Sequence, residues 1–139
     1  MDLPFETITQ TPAETATLAR ELADRVKGGG AVALIGPLGA GKTTFVQGLA
    51  QAMGVEGRVL SPSFVLHRQH GRLHHIDLYR LEDHQFITEL GLAELLQDST
   101  SIVVIEWAEK LASFPPGTIV CRFSIISDHE RRIHIEQIS

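Results

Sequence analysis

The stretch GPLGAGKTT, Gly36 to Thr44, constrains this chain more than any other. Gly36, Gly41, Lys42 and Thr43 satisfy Gly-x-x-x-x-Gly-Lys-[Ser/Thr], the pattern of a phosphate-binding loop. Glycines at 36, 39 and 41 permit a tight turn whose successive N–H groups point inward at an anion. The pattern is informative only between a buried strand and a helix, and both flanks are present. AVALI, Ala31 to Ile35, is a continuous apolar run bounded by glycines, as suits a strand covered on both faces of a parallel sheet. Beyond the loop, Phe45, Val46, Leu49, Ala50 and Met53 share one helical face, and Gly54 ends the helix. The candidate nucleotide contacts are therefore Gly36, Gly39, Ala40, Gly41, Lys42, Thr43 and Thr44. Lys42 would neutralise the β- and γ-phosphates, and the Thr43 hydroxyl is placed to ligate Mg²⁺.

Such a loop needs an acid near the metal, at the end of a neighbouring buried strand. Glu106 closes SIVVIE with four apolar residues before it and is the candidate metal ligand beside Thr43. Asp77 closes LHHID, a weaker match because His74 and His75 interrupt the apolar run; it is assigned to positioning the metal or the attacking water, with a helix N-cap as the alternative. Lys42, Asp77 and Glu106 form the candidate catalytic set. Trp107 reads equally as core or as a cap on the nucleotide. Asn-Lys-x-Asp, which reads guanine, is absent, so adenine follows by elimination. The histidines at 67, 70, 74 and 75 invite a zinc reading, but no cysteine joins them, and strand-face histidines are the simpler account.

The remaining chain reads as one α/β domain. Thr11, Pro12 and Glu14 carry the signals of a helix N-terminus, Leu18, Leu22 and Val26 form its apolar stripe, and Gly28 to Gly30 stop it. PFETIT reads as a strand, the residues around His70-Gly71 as a hairpin, residues 82–99 as a helix broken at Gly91, and TIVCRFSII with RRIHIEQIS as a second hairpin. A net charge of −5 argues against a broad positive field for nucleic acid. No apolar run approaches the ~20 residues of a bilayer span. The N-terminus carries acids where an export signal carries bases, and Cys121 stands alone, so a cytoplasmic protein with no membrane partner is expected.

With these residues in place, the chain resembles the TsaE (YjeE) family, small bacterial P-loop ATPases of tRNA threonylcarbamoyladenosine (t6A) synthesis. The likeness rests on GPLGAGKTT, SPSF at Ser61 to Phe64, HIDLYRL at His75 to Leu81, ELG at Glu89 to Gly91, and IEW at Ile105 to Trp107, in that order. It implies that Thr43 and Glu106 hold Mg²⁺, that SPSF is a switch-like loop near the γ-phosphate, and that Glu14 lies on the adenine side. The family usually has Thr where this chain has Ser63; the hydroxyl is kept. It also implies partners, the TsaD–TsaB complex, which ATP hydrolysis resets, with tRNA contacted only indirectly.

The expectation is a three-layer P-loop NTPase with a mainly parallel central sheet and antiparallel hairpins at its edges, using ATP and Mg²⁺. A small-molecule kinase and a non-hydrolysing, nucleotide-gated binding module remain alternatives. No arginine-rich lid is visible, since Arg80, Arg122, Arg131 and Arg132 are scattered. With no obvious internal arginine finger, the isolated protein should be slow and stimulated in trans, Arg80 being the internal alternative.

Overall fold

The structure, a computed structural model, describes residues 1–55, 67–79, 92–111 and 113–139. Ser63, Arg80 and the SPSF and ELG motifs lie outside them. The described strands are β1 (Phe5–Thr9), β2 (Gly30–Ile35), β3 (His67–His70), β4 (Leu73–Asp77), β5 (Ile102–Glu106), β6 (Ile119–Ile125) and β7 (Arg131–Gln137). The helices are α1 (Pro12–Val26), α2 (Lys42–Ala52) and α3 (Leu92–Gln97), with a 3₁₀ turn over Ala108–Lys110. All seven strands form one sheet, ordered β1-β7-β6-β2-β5-β4-β3.

The four inner strands β6, β2, β5 and β4 run parallel, while β3, β7 and β1 join antiparallel. The sheet as a whole is thus mixed, with a parallel centre as expected; β1 adds to the β6–β7 hairpin and enlarges the antiparallel share at that edge. The hairpins at both edges are as expected.

α1 starts as its sequence dictates. Thr11 Oγ1 accepts from Glu14 N–H at 3.1 Å, and the Glu14 carboxylate accepts from Gln10 N–H at 2.7 Å. The reciprocal arm of the capping box therefore reaches one residue further back than the usual cap position. Leu18, Leu22 and Val26 are buried against α2 and one sheet face, in a core with Phe45, Leu49, Val104, Phe123 and Ile133. Gly48 permits the close α1–α2 approach, since a Cβ there would stand 2.5 Å from Ala16 O and 2.9 Å from Ala19 Cβ. The opposite face carries a smaller core of Ala33, Ile76, Val103, Ile105 and Val120 with Leu92 of α3. Helices therefore cover both faces. Among the described residues, no helix is long and apolar enough to cross a membrane.

Candidate nucleotide-binding site

Three parallel strands end side by side, and the site lies at those ends. Leu34 of β2 pairs with Glu106 of β5, which pairs on its other side with Asp77 of β4. β2 runs directly into the glycine loop. Gly36, Gly39 and Gly41 all take positive φ, at 152°, 79° and 99°. At Gly36 a Cβ would also stand 2.7 Å from Phe123 O, so both conformation and space require glycine there. Gly41 is the N-cap of α2 and supplies no side-chain cap, leaving that helix end free to meet an anion.

Lys42 is only 4% exposed. Its Nζ donates to Gly36 O at 2.5 Å and stands 3.5 Å from the centre of the Trp107 ring. Burial lowers the basicity of this ammonium, opposed by the charges of Glu109, Glu106 and Asp77. Trp107 is the one residue other than glycine with positive φ among those described, at 58°. That bend turns its ring over Lys42 and against Tyr79, 4.8 Å between ring centres, while it also packs on the smaller core. Trp107 thus belongs to the smaller core while its ring lies beside the loop. It is followed by the 3₁₀ turn, from which Glu109 accepts a bond from Gly36 N–H at 3.3 Å.

Thr43 Oγ1 donates to Glu106 Oε1 at 3.3 Å. Two hard oxygens so placed fit a magnesium site, in which neighbouring ligands of an octahedral ion at about 2.1 Å lie about 3.0 Å apart. The other oxygen of Glu106 accepts from His75 Nε2 at 2.5 Å. Asp77 Oδ1 accepts from Tyr79 N–H at 2.8 Å; residues 80–91, on which the helix-cap alternative depends, lie outside the described residues.

Burial pushes the Asp77 carboxyl above its usual range; the Tyr79 N–H opposes this and Glu106 adds to it. A raised carboxyl favours the protonated native chain. Its contribution to stability is complete below about pH 3.9 and is lost as pH rises through the native value. Asp77→Asn keeps the acceptor for Tyr79 without the charge. In EDTA at pH 7 this variant is expected to melt above the wild-type chain, with the gap closing towards pH 4. Equal melting temperatures at pH 7 would contradict the burial penalty.

Beside the loop, a cleft of about 250 Å³ is lined by Thr11 and Thr15 of the α1 start, by Gly41 and Thr44, and by His129 and Arg131 of the β6–β7 hairpin. Arg131 Nε and Nη2 donate to Gly39 O at 3.3 and 3.2 Å. Thr15 is held by a 2.8 Å hydroxyl bond to Thr9. Glu14 lies on the same turn with its carboxylate engaged by Gln10 N–H, and the cleft wall there is formed by Gln10, Thr11 and Pro12. Thr15, His129, Arg131 and Glu109 lie in none of the motifs, and His75 lies in one without a role there; the fold brings all five to the site.

His67 Nε2 and His74 Nδ1 lie 2.9 Å apart on the far sheet face, and burial lowers the basicity of both. Among the described residues no group of three or more His, Cys, Asp or Glu is placed to hold a metal ion. Cys121 is buried, which pushes its thiol up and away from reactivity.

The sequence profile of the family described as "Threonylcarbamoyl adenosine biosynthesis protein TsaE" matches residues 9–134. The chain belongs to the TsaE family. Relatives named "tRNA threonylcarbamoyladenosine biosynthesis protein TsaE" include that of Aquifex aeolicus, 36% identical over 97% of this chain and 98% of its own length. That of Bacillus subtilis is 34% identical over 90% of this chain and 80% of its own. That of Mycobacterium tuberculosis is 43% identical over 71% of this chain; the match spans 66%, just under two thirds, of that relative's length. Among solved structures, the crystal structure of Bacillus subtilis YdiB superposes with a TM-score of 0.81 at 28% identity, covering 100% of this chain and 88% of that one. The TsaE match thus takes in the loop, Asp77, Glu106 and Trp107, and runs from the end of β1 into β7.

Proposed function

We propose that this chain is a P-loop ATPase that binds ATP with Mg²⁺, hydrolyses it slowly on its own, and supports t6A formation on tRNA by acting on the TsaD–TsaB complex. The observation that carries the chemistry is the meeting of Lys42, Thr43 and Glu106 at one end of the sheet, beside an uncapped helix N-terminus. The pathway rests on family membership, and the partners on the resemblance of the ordered motifs.

In this reading the loop amides and the α2 N-terminus cradle the phosphates, and Lys42 leaves Gly36 O to meet the β- and γ-oxygens. The residues that would hold the metal are Thr43 and Glu106; Mg²⁺ supplies charge neutralisation on those oxygens when bound. Asp77, one strand over, holds the attacking water in line. Water adds to the γ-phosphorus, the bond to the bridging oxygen breaks, and ADP and phosphate leave. The cleft between Thr11, Thr15 and the β6–β7 hairpin takes the nucleoside, with adenine favoured for want of any guanine-reading acid. Arg131 is engaged with the Gly39, Ser127 and Glu130 carbonyls, which supports a slow isolated enzyme awaiting a cation in trans. A net charge of −5 suits a protein that leaves tRNA contact to others, and a lone buried cysteine suits the cytoplasm.

Equilibrium titration tests the binding half. ATP and ADP should bind in the presence of Mg²⁺, with GTP at least about tenfold weaker, a preference of about 1.4 kcal/mol. Equal affinity for GTP would remove the adenine assignment.

A further inference from the structure

His75 occupies an interior position of β4 where a strand covered on both faces ordinarily carries an aliphatic residue. Its side chain is 0% exposed. Nε2 lies 2.5 Å from Glu106 Oε2, and since an ionised carboxylate only accepts, Nε2 carries the proton. Nδ1 is buried and has no hydrogen-bond partner among the described residues. The polar capacity of this ring is therefore directed at one oxygen of Glu106, while the other oxygen faces the Thr43 hydroxyl.

We infer that His75 is a positioning residue for the metal: it pins Oε2 so that Glu106 presents Oε1 alone, beside Thr43, as a single-oxygen ligand. The inference rests on the Mg²⁺–nucleotide reading above. A carboxylate free to rotate about its last torsion would spread its two oxygens over several orientations and would offer the ion a poorer partner. Outer-shell groups that orient a metal ligand are typically worth 10–100-fold in metal affinity. A merely structural histidine, present only to offset the burial of Glu106, would change the melting temperature of the chain without changing what Mg²⁺ adds to nucleotide binding.

The test is ATP affinity of the full chain measured twice, in Mg²⁺ and in EDTA, the ratio giving the metal's contribution. His75→Phe keeps the ring shape without the donor, and the ratio should fall about tenfold or more, with the EDTA affinity unchanged. His75→Gln, whose amide nitrogen reaches close to the Nε2 position, should recover most of the ratio. His75→Asn, whose amide falls short of Glu106, should not, and the Gln–Asn pair decides if His75→Phe fails to fold. A wild-type ratio in His75→Phe, or an equal loss in Gln and Asn, would overturn the positioning role while leaving the nucleotide reading intact. Failure of the wild-type chain to bind ATP in either buffer would overturn both.

Discussion

Lys42→Ala is expected to weaken ATP binding by at least about 100-fold, near 3 kcal/mol, while the far-ultraviolet circular dichroism spectrum stays native. The ammonium is held inside the loop, 4% exposed and bonded to Gly36 O. Removing it leaves a triphosphate facing Glu106, Asp77 and Glu109 without the cation that stands among them. The fold should survive because the other side chains of the large core, Phe45, Leu49 and Leu22 among them, do not depend on Lys42. Titration of ATP in Mg²⁺ checks this result. Affinity equal to that of the wild-type chain would remove the loop from the binding site.

Phe45→Ala is expected to destabilise the chain by about 3–5 kcal/mol, the range for deleting a fully buried phenyl group. Phe45 is 0% exposed and meets Phe123 edge-on, ring centres 5.5 Å apart at 86°. Phe123 is also the residue against which Gly36 packs, so the cavity would open directly behind the loop. Urea denaturation should show a lower midpoint with an unchanged slope. Phe45→Leu, which refills most of the volume, should restore the larger part. A loss below about 1 kcal/mol for the alanine variant would mean that the α2–sheet packing described here is wrong.

Local signals carried much of the architecture. The Thr11-Pro12-Glu14 start of α1, the β2–loop–α2 unit and both hairpins were legible because each rests on residues close in sequence. The sheet order was not, because placing β6 beside β2 and β1 beside β7 depends on pairings up to a chain length apart. The same distinction runs through the site. Lys42, Thr43 and Glu106 could be read from one loop and one strand end. The His75–Glu106 bond depends on the parallel register of β4 with β5, and sequence alone made His75 look like an interruption of a buried strand. Glu109 reaches Gly36 only because Trp107 bends the chain into a left-handed turn, a conformation no β-strand pattern announces. Glu14, assigned to the adenine side by resemblance, has its carboxylate on Gln10 N–H, and the neighbouring threonines face the cleft.

Phosphate release from ATP in Mg²⁺, measured for this protein alone and then with TsaD and TsaB added, is the most direct test of a partner-coupled ATPase. Slow release alone, stimulated by about 10³-fold or more when the partners supply the missing cation, and abolished by Glu106→Ala, is the expected result. Equal, slow rates with and without the partners would contradict it and return the kinase and binding-module readings to the front.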